Sequence, residues 1–562
     1  MSRLYNVNSI CLRYVVPFLF EGSFEDAFDK VETQKKIMKG KEKNVWVRRK
    51  VDLNGTESDL YSYIRNEFCF DDDNDNNRLS DNKTGCEWLF WRSGETDTKD
   101  GKAILKLFYY PDGIKKEKGI NTEEWEIPKG WKIEVSNVGL ALFRNGLGIM
   151  WYELKLPTNI INSEQLKVFQ NRVRELNRGS ASLFWEETRD EPDNGIVLYE
   201  MNGITTYIRP FMFGEWVDEI IGFLNVRYFA ERKSSYLTMK KNSMTILKGL
   251  KNRVISKDIE KLRLKTYLPD KAILFTYVSL GCKNAEDLLM NKYSYIFHIA
   301  NGYNDSYHFC NDIVNEIKRP FNDTYWYATQ EGVAYITWTR FDNKDVFNNL
   351  IPSKIRNDYF SLFIKVLYQS FSLLIYAEKI QAEIFAKKEM NIEDPFNNKI
   401  SELSEEINLF LTKSMATSVS HIHNQSEFYI YLKKQLRVHE DVKSITSGLD
   451  SLDGLQREQR QREENKRLQK TMQVERQRGQ KIQTIMNLLA LLGSFSVIVD
   501  VFDLVSMFNY DDGKFWSYSF FMQGIIIVVD IIIILIILIA VRFNFTSIRR
   551  KKNNDQLNEK RL

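Results

Sequence analysis

Histidine and cysteine are both scarce in this chain of 562 residues, with five of each. The cysteines (Cys11, Cys69, Cys86, Cys282 and Cys310) are far apart, odd in number and never spaced C-x-x-C. That spacing speaks against a disulfide framework or a zinc ribbon and predicts reduced thiols in a cytosolic domain. There is no H-E-x-x-H, no G-x-S-x-G, no P-loop and no G-x-G-x-x-G. His421 and His423 stand two apart, which on a helix sends them to different faces, so no metal pair is expected. With no nucleophile set beside a base, nothing points to an enzyme. An acidic run, Asp71-Asp72-Asp73-Asn74-Asp75, imitates a calcium loop. However, Asn76 stands where that loop needs glycine and Asn82 where it needs glutamate, so a solvated loop is expected. Charge is also nearly balanced, 79 Lys and Arg against 75 Asp and Glu, which offers no case for direct nucleic-acid binding. Near the start the longest apolar run is Val15 to Phe20, interrupted by Pro17. It is too short for a secretory leader, so the N-terminal domain is expected to stay in the cytosol.

What the chain does have is two long apolar runs near its end. Ile482 to Val499 is eighteen residues without a charge, and Phe520 to Val541 is twenty-two residues with one, Asp530. About 20 residues of helix cross a bilayer core of about 30 Å, so both are expected to span. Nine Lys and Arg against four Glu lie between Leu455 and Lys481, and Arg542, Arg549, Arg550, Lys551 and Lys552 follow the second run. The loop between the runs carries Asp511 and Asp512 against Lys514 alone. Positive-inside logic puts both chain ends in the cytosol and the acidic loop outside, in the cell (inner) membrane. A third stretch, Tyr359 to Ala377, is apolar but holds Lys365, Gln369 and three serines. A buried core helix is expected there; the alternative, a third span, would put the N-terminal domain outside.

The rest reads as an α+β cytosolic domain followed by a long all-α stalk. Two Asn-Gly pairs predict hairpins, Val138 to Arg144 with Leu147 to Leu156, and Ile196 to Met201 with Ile204 to Ile208, because both central turn positions need positive φ. Lys43 to Leu53 and Ala103 to Tyr110 read as further strands. Leu166, Phe169, Val173 and Leu176 share one face of a helix capped by Asn162 or Ser163. The expected result is an antiparallel sheet with helices packed on it. Pro395 is the last proline. Beyond it a helix is expected over Lys399 to Ala416, then one from Ser426 through the membrane, about 80 residues at about 1.5 Å each. Between Arg457 and Lys470 that helix is polar on every face. It is either a solvated helix held by i,i+4 charge pairs or a stalk whose copies surround a watery vestibule. The division is a sensor domain over 1–350, helical region and stalk over 351–481, a first span over 482–508, an outer loop over 509–519, a second span over 520–541 and a basic tail over 542–562.

Polar groups inside the first span are costly and so informative. Gln480, Gln483, Asn487 and Ser494 fall within about 60° of one another at about 100° per residue, joined by Leu491, Ile498 and Val501 at the same face or its edge. This stripe is expected to line a pore shared by several copies; the alternative is polar glue within the hairpin. Asp500, Asp503, Asp511 and Asp512 are candidates for an outer mouth that concentrates cations, although Asp500 and Asp503 fall nearly opposite the stripe. Asp530, about 15 Å into the second helix, is costly against lipid as a carboxylate; it is either protonated or turned toward Asp500.

This order of segments, over residues 356 to 552, resembles the CorA family of divalent-cation channels, and the N-terminal domain resembles it as a class. The resemblance implies a homopentamer in the lipid bilayer, a pore lined by the first span, and a divalent cation such as magnesium as permeant or regulatory ion. It also implies a G-M-N triplet near Val501-Phe502-Asp503. No G-M-N is present, the nearest echo being Ser506-Met507-Phe508-Asn509, so the family's selectivity signature is missing. The large cytosolic domain makes the plan similar to the divergent CorA-like effectors of type III CRISPR antiviral defence. That likeness implies gating by a small nucleotide such as a conjugate of S-adenosylmethionine and AMP. Four readings stand open: a gated homo-oligomeric ion channel, a magnesium transporter, a membrane-anchored sensor without a pore, and a membrane-bound enzyme.

Overall fold

Strand β1, Asn6–Phe20, is buried almost without a break from Ile10 to Phe18. Its alternate side chains enter two different cores: Leu12, Tyr14, Val16 and Phe18 one, Cys11 and Val15 the other. A strand covered on both faces reads as a continuous apolar run, which accounts for the apolar stretch Val15 to Phe20. Pro17 sits at the gap where the neighbour of β1 on one side changes from Ile273–Gly281 to Val226–Tyr228, a place that tolerates a missing N–H.

The computed structural model describes residues 5–38, 41–48, 87–91, 105–109, 131–157, 161–176, 183–188, 196–201, 204–233, 267–281, 292–304, 306–321, 323–339, 350–389, 396–415 and 418–508, with Gly524, Ile527, Val528, Ile531 and Leu535. Two compact units result, Met1–Gln456 and Arg457–Leu562.

The first unit is built on a fourteen-stranded sheet. Its other principal strands are β2 (Leu105–Tyr109), β3 (Trp131–Leu142), β4 (Leu147–Lys155), β5 (Leu183–Thr188), β6 (Ile196–Met201), β7 (Ile204–Pro210), β8 (Ile273–Gly281), β9 (Lys318–Phe321), β10 (Thr324–Thr329) and β11 (Gly332–Thr339). They lie in the order β6-β7-β5-β2-β3-β4-β1-β8-β11-β10-β9. The expected antiparallel sheet is corrected here to a mixed one, because β8 and β11 run parallel with Leu274 opposite Gly332 and Gly281 opposite Thr339. A parallel pair needs a long crossover, and the chain between these strands supplies one that carries a helix.

Both predicted hairpins form, as β3–β4 and β6–β7, with the Asn202-Gly203 turn outside the described residues. In the first the turn is not the expected one with positive φ at both central positions: Gly146 adopts φ +90° but Asn145 does not. The Gly146 N–H donates to the Phe143 carbonyl at 3.0 Å, and Asn145 Oδ1 accepts from the Leu147 N–H at 3.2 Å. Gly139 lies opposite Trp151, and a Cβ placed there would meet the indole ring at 2.0 Å. That ring packs edge-on to Phe360, 5.7 Å between centroids, so it has little room to yield. Gly139→Ala is expected to lower stability by about 1–3 kcal/mol through overpacking, read from the denaturant midpoint.

One face of the sheet carries α1 (Phe24–Thr33), α2 (Ser163–Arg174), α3 (Phe213–Ile221) and α4 (Lys292–Asn301). For α2 the cap is Asn162, in a reciprocal capping box with Gln165, and Leu166, Phe169 and Val173 are buried as their spacing predicts. The opposite face carries α5 (Phe360–Glu389), α6 (Phe396–Ser414), α7 (His423–Gln435) and the first turns of α8 (Val438–Phe508). The expected single helix from Ser426 onward is corrected to two: Arg437, at φ +54°, separates α7 from α8. Leu436 and Val438 on either side are buried, so a left-handed residue between them lets both helices pack on the same core. Of the two histidines noted above, His423 opens α7 and His421 precedes it.

Two helical stretches, Ile351–Ala382 and Arg460–Ile498, are long and apolar enough to cross a membrane. In the first, 78% of the most apolar window is buried inside the protein; in the second, 0% is. Tyr359 to Ala377 is thus a core helix. Its polar residues recur at i, i+4 and i+7: Lys365 is fully buried, Gln369 donates to the Ser414 carbonyl at 2.6 Å and the Tyr429 hydroxyl at 2.8 Å, and Ser372 Oγ accepts from Asn145 Nδ2 at 2.7 Å. Partners drawn from three other elements make those polar groups tolerable in a core.

Candidate functional site

From Arg457 to Phe508 the backbone of α8 is helical throughout, so spacing translates directly into position around its axis. Gln480, Gln483, Asn487, Leu491, Ser494, Ile498 and Val501 occupy one side, within about 80° at about 100° per residue. All seven are exposed, and so are the apolar side chains around them: Ile482 is 62% accessible, Met486 60% and Val497 60%. Contiguous exposed apolar surface of this extent marks a region covered by lipid or by other chains. Two hydroxyls are satisfied within the helix itself, Thr484 Oγ1 by the Gln480 carbonyl at 2.8 Å and Ser494 Oγ by the Leu491 carbonyl at 2.7 Å. The longer amides of Gln480, Gln483 and Asn487 reach outward from the same side.

Asp500 is exposed and lies about 160° from Gln480 around the axis, away from the stripe. Position 503 is helical and falls on that far side too. Asp511, Asp512 and Asp530 lie outside the described residues, as do the acidic run Asp71 to Asp75 and most of Phe520 to Val541. Gly524, Ile527, Val528, Ile531 and Leu535 of that second run are helical and exposed. The 3–4 spacing of the stripe continues below Gln480 through Arg476, Gln473 and Gln469, residues a search confined to the apolar run overlooks. A seam of this period filled with amides and a guanidinium is poorly suited to a dry coiled coil and well suited to a wet axis.

A second assembly, in the first unit, carries no sequence signature. Arg13 on β1, Glu153 on β4 and Arg356 in the π-helical turn Ile355–Tyr359 ahead of α5 form an Arg-Glu-Arg cluster in which Arg13 and Glu153 are buried and Arg356 is half-exposed. Glu153 Oε2 accepts from Arg13 Nε at 2.9 Å, and Glu153 Oε1 from Arg356 Nε at 3.1 Å. Arg13 Nη1 also donates to the Arg356 carbonyl at 2.6 Å, and Arg356 Nη2 to the Ile10 carbonyl at 3.2 Å. The Arg13 guanidinium lies over the Phe360 ring, 4.2 Å from its centroid. Burial alone raises the Glu153 carboxyl, but Arg13 and then Arg356 outweigh it and hold the group below its usual range. The cluster ties two central strands to the first turn of the helical layer, and π-turns recur at positions of this kind. Its members are 140 and 203 residues apart in sequence, which is why no local pattern announces it.

Beside this cluster, burial and then the Glu153 charge push the Cys11 thiol up to about 12. In the folded protein at pH 8, Cys11 is expected to resist a thiol-specific disulfide reagent while the exposed Cys310 reacts, as read by mass spectrometry of the labelled chain. Among the described residues no three His, Cys, Asp or Glu side chains converge as metal ligands. No family model, curated protein or solved structure matches this chain, so the likeness to CorA channels rests on segment order and on the residues quoted above.

Proposed function

We propose that the chain is a membrane protein whose copies surround a common axis to form an ion channel, gated through the sheet-based unit. The observation carrying this reading is the exposed helix Arg460–Ile498, which from Ile482 onward is apolar around most of its circumference yet carries Gln483, Asn487 and Ser494 on one side. Lipid suits the apolar faces. The amides are costly against lipid and suit a hydrated axis shared with other copies. Basic residues before the apolar run Ile482 to Val499 and after the second apolar run favour both ends in the cytosol.

Gating needs a two-state element and a ligand that prefers one state by several kcal/mol. The Arg-Glu-Arg cluster joins sheet to helical layer and is the natural place for such a preference to pass between them. The segment order shared with CorA-like defence effectors makes a small nucleotide, such as an S-adenosylmethionine–AMP conjugate, the first ligand to try. The decisive experiment pairs the mass of the detergent-solubilised protein with ion flux from proteoliposomes. Several copies per particle and protein-dependent flux are expected; a monomer, or an oligomer that passes nothing with any ligand tried, removes the channel.

A further inference from the structure

The amide stripe carries one unneutralised charge, and it is positive. The stripe's sector is about 80° wide, running from about 60° on one side of Gln480 to about 20° on the other. Between Gln469 and Val501 the residues in it are Gln469, Gln473, Arg476, Gln480, Gln483, Asn487, Leu491, Ser494, Ile498 and Val501. Arg476 is the only charged one. It is exposed and has no ion-pair partner among the described residues. Further down the same side, Arg462 is bonded to Glu458 one turn away and so is largely neutralised. Glu475, although adjacent in sequence, projects about 100° away from Arg476. Asp500 and position 503, the acids nearest the other end, are on the far side of the helix.

We propose, resting on the channel reading, that the passage selects small inorganic anions and that Arg476 forms its cytosolic selectivity ring. In a symmetric assembly every copy contributes one guanidinium at the same level of the axis, four residues before Gln480. Rings of Arg or Lys are how pores favour anions, as rings of Asp or Glu favour cations. The approach to the ring reinforces it: nine Lys and Arg against four Glu between Leu455 and Lys481 leave each copy with five surplus positive charges. A ring of copies multiplies that surplus, and a narrow entrance focuses the resulting field. The next groups along the axis, Gln480, Gln483 and Asn487, present amide N–H donors that can replace the water lost by an anion. A divalent cation, by contrast, needs several oxygen ligands with carboxylates among them, and this side of the helix has none from Gln469 to Val501.

The test uses full-length protein in a planar bilayer across a potassium chloride gradient. The reversal potential is expected on the chloride side for the wild type and on the potassium side for Arg476→Glu, with Arg476→Gln between them. Arg476 is exposed on a helix, so these variants should fold. A second measurement works with the gate open or shut. Gln480→Cys, one turn away, is expected to react about tenfold faster with an anionic than with a cationic methanethiosulfonate, after correction for intrinsic rates, and Arg476→Gln should abolish that preference. Background from native thiols comes from protein without the added cysteine. Reversal of the wild type on the potassium side, or a thiol preference indifferent to Arg476, overturns the anion assignment and leaves the channel standing. A thiol preference without flux of either ion under any ligand tried counts against the channel itself, and the inference falls with it.

Discussion

Proteoliposomes carrying the Asn487→Leu, Ser494→Leu double variant are expected to release no more ions than protein-free liposomes, while the oligomer keeps its mass. These two positions break up an otherwise apolar stretch of the stripe, since Leu491, Ile498 and Val501 share the same side of α8. With both replaced, no polar residue of the stripe remains between Gln483 and Val501, about 27 Å of helix at about 1.5 Å per residue. That is nearly the whole hydrocarbon thickness of about 30 Å, and an apolar constriction of that length expels water and closes. Leu489→Ala, on the opposite side of the helix, is the control and should leave flux as it was. Undiminished flux from the double variant would show that ions do not pass along this side of the helix.

Glu153→Ala is expected to destabilise the sheet-based unit by about 3–5 kcal/mol, the largest single-residue effect anticipated outside the membrane. The change strands the Arg13 guanidinium in a site where it is only 10% exposed, with its partner charge gone. Arg356, 40% exposed, can recover water and limits the loss toward the lower end of that range. The pH dependence has a definite sign. Because the folded-state carboxyl is held below its ordinary value, its contribution is complete above the unfolded value of about 4.3 and fades as pH falls through the folded value. The gap between the wild type and Glu153→Gln in urea titrations followed by tryptophan fluorescence should therefore be widest near neutrality and shrink in acid. An unchanged gap would mean that Glu153 acts by packing and not by charge. If the cluster also transmits gating, Arg356→Lys should keep the fold but blunt any ligand response, since a flexible ammonium lacks the fixed fork with which the guanidinium serves Glu153 and the Ile10 carbonyl together.

Elements governed by neighbours in sequence were legible from the chain alone. The Asn145-Gly146 hairpin follows from turn chemistry, α2 from its cap and its apolar spacing, and α5 as a core helix from the lysine in its middle. The amide stripe was legible too, because it needs nothing but helical periodicity. Its downward continuation to Arg476 obeys the same period but lies beyond the edge of the apolar run, where hydropathy gives no signal. Other features had no such signal. The parallel pairing of β8 with β11 depends on where a crossover returns, and the bend at Arg437 on what Leu436 and Val438 must both reach. The Arg-Glu-Arg cluster depends on three segments meeting from far apart.

By itself, then, the sequence determined which segments are helices or hairpins and which side of the last long helix is polar. It also made two helical stretches, Ile351–Ala382 and Arg460–Ile498, alike in length and hydropathy. The lysine in the middle of the first told them apart in the sequence, and the tertiary structure supplied the partners that bury it. The first finds β-strands and helices for its apolar faces, with Ser414, Tyr429 and Asn145 for its polar ones; the second finds none of these among the described residues. Hydropathy measures what a segment would shed from water, whereas burial depends on whether distant parts of the same chain arrive with matching shape and hydrogen-bond partners.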